Sequence, residues 1–231
     1  MSEFFSPLFW EPFILTFKLA FITTICLYLI GIPLAYYLAF AKVRFKAIFE
    51  AIIAMPLVLP PSVLGFYFLL LFSQDGFLGA LWKKIFGHQL AFHFEGLVIG
   101  SIVFSLPFMV HPLLNGFKAI NPYSIEAAHT MGKGFFETLF RVILPSMKPA
   151  LVTGGVISFA HTVGEFGVVL MIGGNIDGQT KVASIAIYNE VEALNYTMAH
   201  SYSLILFAFS FVILWLVYTK LDRKMKVGFY A

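Results

Sequence analysis

The stretch SIEAAHTMGKGFFETLFRVILPS, residues 124–146, is the most informative part of the chain because it is polar in a sequence that is otherwise strongly apolar. Apolar windows at about 96–117 and 149–172 flank it, and each is long enough to cross a bilayer as a helix. A polar stretch between two such windows lies outside the bilayer. The sequence therefore predicts a short connection between two membrane-spanning helices.

The composition of the whole chain is typical of a membrane protein. Of its 231 residues, 60% are hydrophobic and only 12% are charged, and the mean hydropathy is +0.89. Soluble domains carry roughly 25% charged residues, and the net charge of +3 is too small to indicate binding to nucleic acid. We therefore predict an all-α polytopic membrane protein that forms a single domain over residues 1–231. Its five transmembrane helices are expected at about 13–40, 47–72, 96–117, 149–172 and 201–218.

The distribution of lysine and arginine predicts the orientation of these helices. Eleven of the fifteen basic residues fall in the loops after the first and third windows or in the C-terminal tail. Cytoplasmic loops carry such an excess, so the N-terminus is expected outside and the C-terminus in the cytoplasm, together with the stretch 124–146. The eleven residues are Lys42, Arg44, Lys46, Lys118, Lys133, Arg141, Lys148, Lys220, Arg223, Lys224 and Lys226.

A short helix is predicted within this polar region, at about 122–132. Asn121 is a favourable N-cap, and Pro122 suits the first helical position. Glu126 lies in an early turn, where its charge meets the positive end of the helix dipole. Gly132 is expected to end the helix in a left-handed conformation. A helix this short is marginal by itself in water, so it should pack against something else.

The same residues form a pattern that resembles a known motif. The letters EAA are followed after three residues by a glycine and, nine residues later, by VILP, over residues 126–145. This pattern resembles the EAA motif of ABC-importer permease subunits, with valine where the family usually has isoleucine. The resemblance implies an ABC type I importer-like fold and a cytoplasmic coupling helix that docks into a cleft of the ATPase subunit. It assigns coupling to Glu126, Ala127, Ala128, Gly132, Leu144 and Pro145.

Three further stretches narrow the resemblance to one group of permeases. MPLVLPPSVLGFYFLLLF (55–72) and IAIYNEVEALNYTMAHSYSLIL (185–206) resemble the molybdate permeases. GEFGVVLMIGGNIDGQT (164–180) resembles a region that molybdate and sulfate permeases share. His161 stands where relatives commonly have an arginine, one turn before GEFG, so the anion-attracting role of that arginine is not carried over.

The resemblance implies an assembly and a cargo. It implies a homodimeric permease of a bacterial or archaeal cell (inner) membrane, with cytoplasmic ATPase subunits and an extracytoplasmic oxyanion-binding protein. The implied cargo is molybdate, with tungstate also carried. Molybdate, tungstate and sulfate share charge and near-tetrahedral shape, so a sulfate or tungstate permease remains an alternative. An ATP-independent secondary anion transporter is a further alternative, but such proteins usually carry charged residues deep in several spans.

Two features inside the predicted spans are candidates for a transport pathway. Pro60 and Pro61 interrupt hydrogen bonding in the second window, and the freed carbonyls should face other helices or a water-filled path. His161 and Glu165 are four residues apart in the fourth window and would share one helix face. Such groups rarely face lipid, so they form either a buried structural pair or part of the pathway.

No catalytic, cofactor or metal site is predicted. GGNIDGQT (173–180) comes close to a phosphate-binding loop, but Gln179 stands where that loop needs a lysine. Because no complete loop of this kind occurs elsewhere, the ATPase is expected to be a separate chain and this chain not to be an enzyme. The six histidines are scattered, and no pair has the context of a metal site.

Overall fold

The computed structural model describes residues 6–41 and 46–228, with side chains described as far as residue 219. Lys42 and Arg44, on which the predicted orientation partly rests, lie outside the described residues, as do the side chains of the basic tail.

The described residues form helices joined by short turns, with no strand among them, which confirms the all-α prediction. The helices are α1 (Pro7–Phe40), α2 (Lys46–Val58), α3 (Pro61–Phe72), α4 (Phe77–Phe86), α5 (Phe94–Lys118), α6 (Pro122–Thr130), α7 (Phe135–Thr138), a π-helical turn (Leu139–Ile143), α8 (Leu144–Ser146), α9 (Lys148–Val163), α10 (Gly167–Gly173), α11 (Ala183–Glu192) and α12 (Tyr196–Gly228).

Three of these helices are long and apolar enough to cross a membrane individually. They are α1, α5 and the Tyr196–Thr219 part of α12. Two more crossings result when each bent pair of helices is counted once, namely α2 with α3, and Phe135–Ser146 with α9. In the second pair, the polar segment Phe135–Ser146 belongs to the stretch expected outside the bilayer, and α9 is the part that crosses. Counted in this way, the described part of the chain holds up to five crossings.

The second predicted window, 47–72, is two helices instead of one straight span. The axes of α2 and α3 differ by 110°. Pro60 adopts an extended conformation, with φ −55 and ψ 137, because a residue that precedes proline is sterically disfavoured in the helical region. The bend therefore follows from the Pro60–Pro61 pair.

The fourth predicted window, 149–172, is also interrupted. Helix α9 ends at Val163, and α10 begins only at Gly167. Glycines at 164 and 167 flank the break, and glycine is a poor helix former. The expectation that His161 and Glu165 share one helix face is therefore wrong, since Glu165 lies in the break.

Helix α5 organises the rest of the fold. It packs against α1, α2, α9 and α10. One buried apolar cluster joins its Leu97 to Phe72 and Ile172, and a second joins its Leu113 to Leu38. The 25 residues of α5 extend over about 37 Å. Helix α4, which precedes α5, and helix α6, which follows it, therefore lie at opposite membrane surfaces.

Candidate functional site

Helix α6 begins as the sequence predicts. The side chain of Asn121 accepts a hydrogen bond from the backbone N–H of Tyr123, at 3.0 Å. Pro122 occupies the first helical position, where its missing N–H leaves no helical bond unmade. These two residues fix the first turn of a helix that is only nine residues long.

The end of α6 is fixed by a glycine-terminated hydrogen-bond pattern. Gly132 has φ +74, which confirms the left-handed conformation predicted for it. Its N–H donates to the carbonyl of His129 at 2.9 Å, and the N–H of Lys133 donates to the carbonyl of Ala128 at 3.0 Å. This pair of bonds is the Schellman arrangement, which depends on a left-handed residue. The direction in which the chain leaves α6 therefore depends on Gly132.

Most of the surface of α6 is open to a partner, and only Ala128 is buried. Tyr123 is 75% exposed, and Glu126 and Ala127 are also exposed, whereas Ala128 has no exposed surface. Ala128 is enclosed within the protein, and α6 packs against α7 and the π-helical turn. Of the two alanines that the sequence assigns to coupling, Ala127 lies on the outer surface and Ala128 lets α6 approach its own chain closely.

Ion pairs hold the segment that follows α6. Glu137 accepts hydrogen bonds from Lys133 Nζ at 2.7 Å and from Arg141 Nη1 at 3.0 Å. The hydrogen bond and positive charge of Lys133, with a further contribution from the charge of Arg141, lower the pKa of Glu137 below its ordinary value. Solvent screens such exposed pairs, so they contribute little to the stability of the fold.

Leu144 and Pro145 lie at the junction between this segment and α9. The N–H of Leu144 donates to the carbonyl of Leu139, five residues earlier, which closes a π-helical turn. Pro145 has no N–H with which to continue the helical ladder, and isolated turns of this width are often found at functional sites. Leu144 packs partly buried against the core, whereas Pro145 is exposed. Both residues therefore connect α6 and its supporting turn to α9.

A second candidate site is a cavity of about 600 Å³ where the two helix breaks meet. Pro61 at the start of α3 faces Gly167 at the start of α10, so closely that a Cβ on Gly167 would lie 2.8 Å from the Cβ of Pro61. His161 and Glu165 line the same cavity. The structure thus brings together three of the four predicted pathway residues, while Pro60 lies exposed at the bend and outside the lining.

His161 contributes a hydrogen-bonding and aromatic wall to the cavity. Its Nδ1 lies 2.9 Å from the hydroxyl of Ser105, which lies 3.1 Å from the hydroxyl of Thr162. The rings of Phe104 and Phe108 pack against the imidazole, with centroid distances of 4.8 and 4.1 Å. Among the described residues, no lysine or arginine lines the cavity.

Glu165 lies in the break between α9 and α10 and is only 4% exposed. Its two carboxylate oxygens are enclosed and have no hydrogen-bond partner among the described residues. The hydroxyl of Ser101 lies beside them without meeting hydrogen-bond geometry. The backbone carbonyl of Glu165 accepts a hydrogen bond from the hydroxyl of Ser184 at 2.7 Å. The enclosed carboxylate therefore presents no accessible charged atom to the cavity.

The serines and aromatic residues around His161 were missed from the sequence. Ser105 lies 56 residues before His161, and their contact depends on how α5 packs against α9. A signal was nevertheless present, because Ser101 and Ser105 are four residues apart in an otherwise apolar window and hydroxyls at this spacing share a helix face.

The hydroxyl of Thr180 closes the loop at 173–180 on itself. The hydroxyl of Thr180 donates to the carbonyl of Gly173 at 2.6 Å and accepts from the N–H of Ile176 at 2.9 Å. Across the described ranges, no group of three or more histidine, cysteine, aspartate or glutamate side chains could hold a metal ion.

Comparison with known proteins identifies the family. Residues 31–227 match the family described as "Binding-protein-dependent transport system inner membrane component". The chain belongs to this family. The matched range includes α6, the segment after it and both helix breaks. This inner-membrane component is accordingly a multi-pass protein of the membrane that serves transport.

The inner-membrane component is also similar to individual permeases. It is 44% identical to the molybdenum transport system permease protein ModB of Azotobacter vinelandii, over 93% of this chain and 94% of that protein. It is 30% identical to ModB of Escherichia coli (strain K12), over 79% and 80% of the two chains. It is 30% identical to the sulfate transport system permease protein CysT of the same strain, over 88% of this chain and 73% of that one. The resemblance to the molybdate permease group is confirmed.

Solved structures support the fold of the inner-membrane component. A bacterial ABC transporter involved in the import of alginate matches with a TM-score of 0.79 and 18% identity, over 96% of this chain and 82% of that chain. The MetNI methionine ABC transporter in an inward-facing conformation matches with a TM-score of 0.69 and 18% identity, over 93% of each chain. These similarities confirm the predicted importer-like fold.

Proposed function

We propose that the chain is the permease subunit of an ABC importer that carries molybdate, and also tungstate, into the cytoplasm. The observation that carries this proposal is the 44% identity to a molybdenum permease over nearly the full length of both chains. The identity to a sulfate permease is lower, at 30%, and leaves part of that protein unmatched. ATP hydrolysis belongs to separate cytoplasmic subunits, since this chain carries no complete phosphate-binding loop.

Helix α6 is the contact with the ATPase in this proposal. Its exposed residues, Tyr123, Glu126 and Ala127, form the docking face, and Ala128 holds α6 against its own chain. Gly132 sets where the chain leaves the helix. A docked helix that is capped at both ends moves as a unit, which is what mechanical coupling requires.

Movement of α6 reaches the cavity through α9. Leu144 and Pro145 join the π-helical turn to the start of α9, and His161 lies near the other end of that helix. The 16 residues of α9 extend over about 24 Å. A displacement at the membrane surface is therefore delivered to the break at Glu165, where α10 meets the Pro61 end of α3. Alternating access then consists of opening and closing the cavity between these two breaks.

The cavity suits the passage of an oxyanion more than its tight retention. His161 and the hydroxyl of Ser62 supply hydrogen-bonding groups, and no lysine or arginine of the described ranges lines the cavity to trap a dianion. The enclosed oxygens of Glu165 face away from solvent, which limits their repulsion of an anion. Selection of the cargo thus belongs to the extracytoplasmic binding protein.

The assembly completes the proposal. The permease forms a homodimer in the lipid bilayer, with the N-terminus outside and the C-terminus in the cytoplasm. The ATPase subunits bind at the cytoplasmic surface where α6 lies, and the oxyanion-binding protein binds at the other. Cysteine labelling of both termini in intact cells tests the orientation, because equal accessibility from the same side contradicts it.

Transport of labelled molybdate into proteoliposomes tests the function. The liposomes contain the permease and its ATPase, with the binding protein added on the outside. We expect ATP-dependent uptake that unlabelled tungstate inhibits strongly and sulfate weakly. Strong sulfate uptake that molybdate does not inhibit would establish the sulfate alternative, and undiminished uptake without ATP would establish the secondary transporter.

A further inference from the structure

Helix α4 carries two apolar faces, and only one of them packs against the part of the chain that the structure describes. Gly79 is buried, and Trp82 packs partly buried against the core cluster around α5. A second apolar face points outward, with Phe77 76% and Ile85 63% exposed. Its members share one side of the helix because they occur at intervals of one, four and eight residues. They are Phe77, Leu78, Leu81 and Ile85, which we call the outer stripe.

The position of α4 puts this stripe at the membrane surface. Helix α3 ends at Phe72 and α4 begins at Phe77, so the connection is too short to carry α4 far from the end of a membrane segment. Gly79 lies so close to the carbonyl of Ser73 that a Cβ there would overlap it. Helix α4 is therefore packed across the end of α3, at the surface opposite α6.

One lysine borders the outer stripe. Lys84 follows Phe77 by seven residues, so it lies at the edge of the stripe, and it is exposed and makes no ion pair with any described residue. Lys83 lies on the side of α4 away from the stripe and donates a hydrogen bond to Gln74 at 2.9 Å. The sequence of α4 contains no acidic residue. A short helix with an exposed apolar stripe beside an unpaired lysine has the composition of a helix that lies in the headgroup region of a bilayer.

We propose that α4 is a lipid-binding helix that anchors the permease to anionic phospholipid in the leaflet opposite α6. The outer stripe inserts at the boundary between headgroups and acyl chains, and Lys84 at its edge binds a lipid phosphate. A second copy of the chain fits this surface less well. A symmetric contact across the stripe brings Lys84 of both copies together with no acidic residue in α4 to neutralise them. The proposal is independent of the cargo and of the ATPase.

Depth-dependent fluorescence quenching tests insertion of the stripe. Trp10, Trp82 and Trp215 are replaced by Phe in the full-length chain, and Leu81→Trp supplies a single reporter in lipid nanodiscs. We expect phospholipids brominated near the headgroup to quench it more than those brominated near the acyl end, and aqueous iodide to quench it weakly. The control, Tyr123→Trp on the water-facing side of α6, should show strong iodide quenching and weak quenching by lipid.

Lipid headgroup chemistry tests Lys84. In mixed nanodiscs, brominated phosphatidylglycerol should quench the Leu81→Trp reporter more than brominated phosphatidylcholine, since one lysine near the surface corresponds to about fivefold local enrichment of anionic lipid. The variant Lys84→Gln should lose this preference and keep the depth profile. Lys181→Gln is the control of equal charge change, because Lys181 is already paired with Asp177 at 2.9 Å.

Three outcomes overturn the proposal. Iodide quenching without lipid quenching places the stripe in water. A disulfide between Leu81→Cys copies in membranes, with no lipid quenching, makes it a protein interface. Equal quenching by the two brominated lipids shows that α4 has no preference for anionic phospholipid. If Leu81→Trp fails to fold, Ile85→Trp on the same stripe gives the same test.

Discussion

Helices α4 and α6 are alike in size and ending, yet they present opposite chemistries at opposite membrane surfaces. They have ten and nine residues, and each is followed by a left-handed glycine, Gly87 with φ +80 and Gly132 with φ +74. Helix α4 exposes a stripe of large apolar side chains, whereas α6 exposes Tyr123, Glu126 and Ala127. Length and capping therefore make a short helix possible, and the exposed side chains decide whether lipid or another protein covers it.

The two glycines give the sharpest test of this comparison. A Cβ at Gly132 or at Gly87 meets nothing within 4 Å, so Gly→Val at either position costs mainly backbone strain of about 1–3 kcal/mol. Gly132→Val should displace the end of α6 and abolish both ATP-driven uptake and ATPase co-purification, with normal membrane abundance. Gly87→Val, the matched control, should retain both. Equal loss in the two variants would show that α6 has no special role in coupling.

The paired alanines separate docking from folding. Ala127→Trp adds bulk to the exposed face of α6 and should weaken ATPase co-purification at normal abundance of the permease. Ala128→Trp adds the same bulk to a fully buried site and should destabilise the fold by about 1–3 kcal/mol. Membrane abundance and pull-down of the ATPase distinguish the two results. Normal ATPase binding by a well-expressed Ala127→Trp variant contradicts the assigned docking face.

A polar substitution in the outer stripe should lower the stability of the permease and leave its binding to the ATPase unchanged. Leu81→Gln removes an apolar side chain that is 48% exposed and should lower stability in lipid nanodiscs by about 1 kcal/mol. ATPase co-purification should remain unchanged, because α4 and α6 lie at opposite surfaces. The unfolding temperature of the variant is measured in nanodiscs and in detergent. An equal decrease in both environments would show that Leu81 stabilises the protein by packing within it and not by contact with lipid.

The ion pairs after α6 should give the smallest effect and a pH dependence of defined sign. The pKa of Glu137 is lowered in the folded chain by Lys133, and also by Arg141, so these pairs stabilise the fold above the ordinary glutamate pKa of about 4.3. This contribution is lost as the pH falls through the lower, folded-state pKa. Glu137→Gln should lower the unfolding temperature slightly at neutral pH.

Lowering the pH provides the control for that effect. The difference between the parent and Glu137→Gln should close below about pH 4 as the carboxylate takes up a proton. Glu126→Gln, which changes an exposed glutamate outside the ion pairs of the described residues, is the matched control for loss of one negative charge at neutral pH. A gap that persists in acid means that packing, and not charge, accounts for the loss.

Local signals were sufficient to predict α6 from the sequence. Asn121, Pro122 and Gly132 act on backbone groups within a few residues of themselves, so the helix boundaries follow from their chemistry. The bend at Pro60–Pro61 is predictable for the same reason. The burial of Ala128 is not predictable in this way, because it depends on the packing of α6 against a turn that lies later in the chain.

The break at Glu165 and the two faces of α4 could not be predicted from the hydropathy pattern of the sequence. The fourth window stays apolar on both sides of 164–166, so hydropathy alone extends one helix through it. Helix α4 is too short to be read as a span, and its two apolar faces become distinguishable only once Trp82 is seen packed against the core. Contacts between distant segments, such as Ser105 with His161, likewise require the folded chain.

The two breaks that face each other across the cavity differ in stiffness. Proline rings at 60 and 61 lock φ on one side, so the 110° bend between α2 and α3 behaves as a rigid corner. On the other side, Gly164 has no atom closer than 3.7 Å to the position of a Cβ, so its backbone torsions can change at little steric cost. In the proposed transport cycle we therefore expect a one-sided motion, in which the α9–α10 joint acts as the hinge and the proline corner stays fixed.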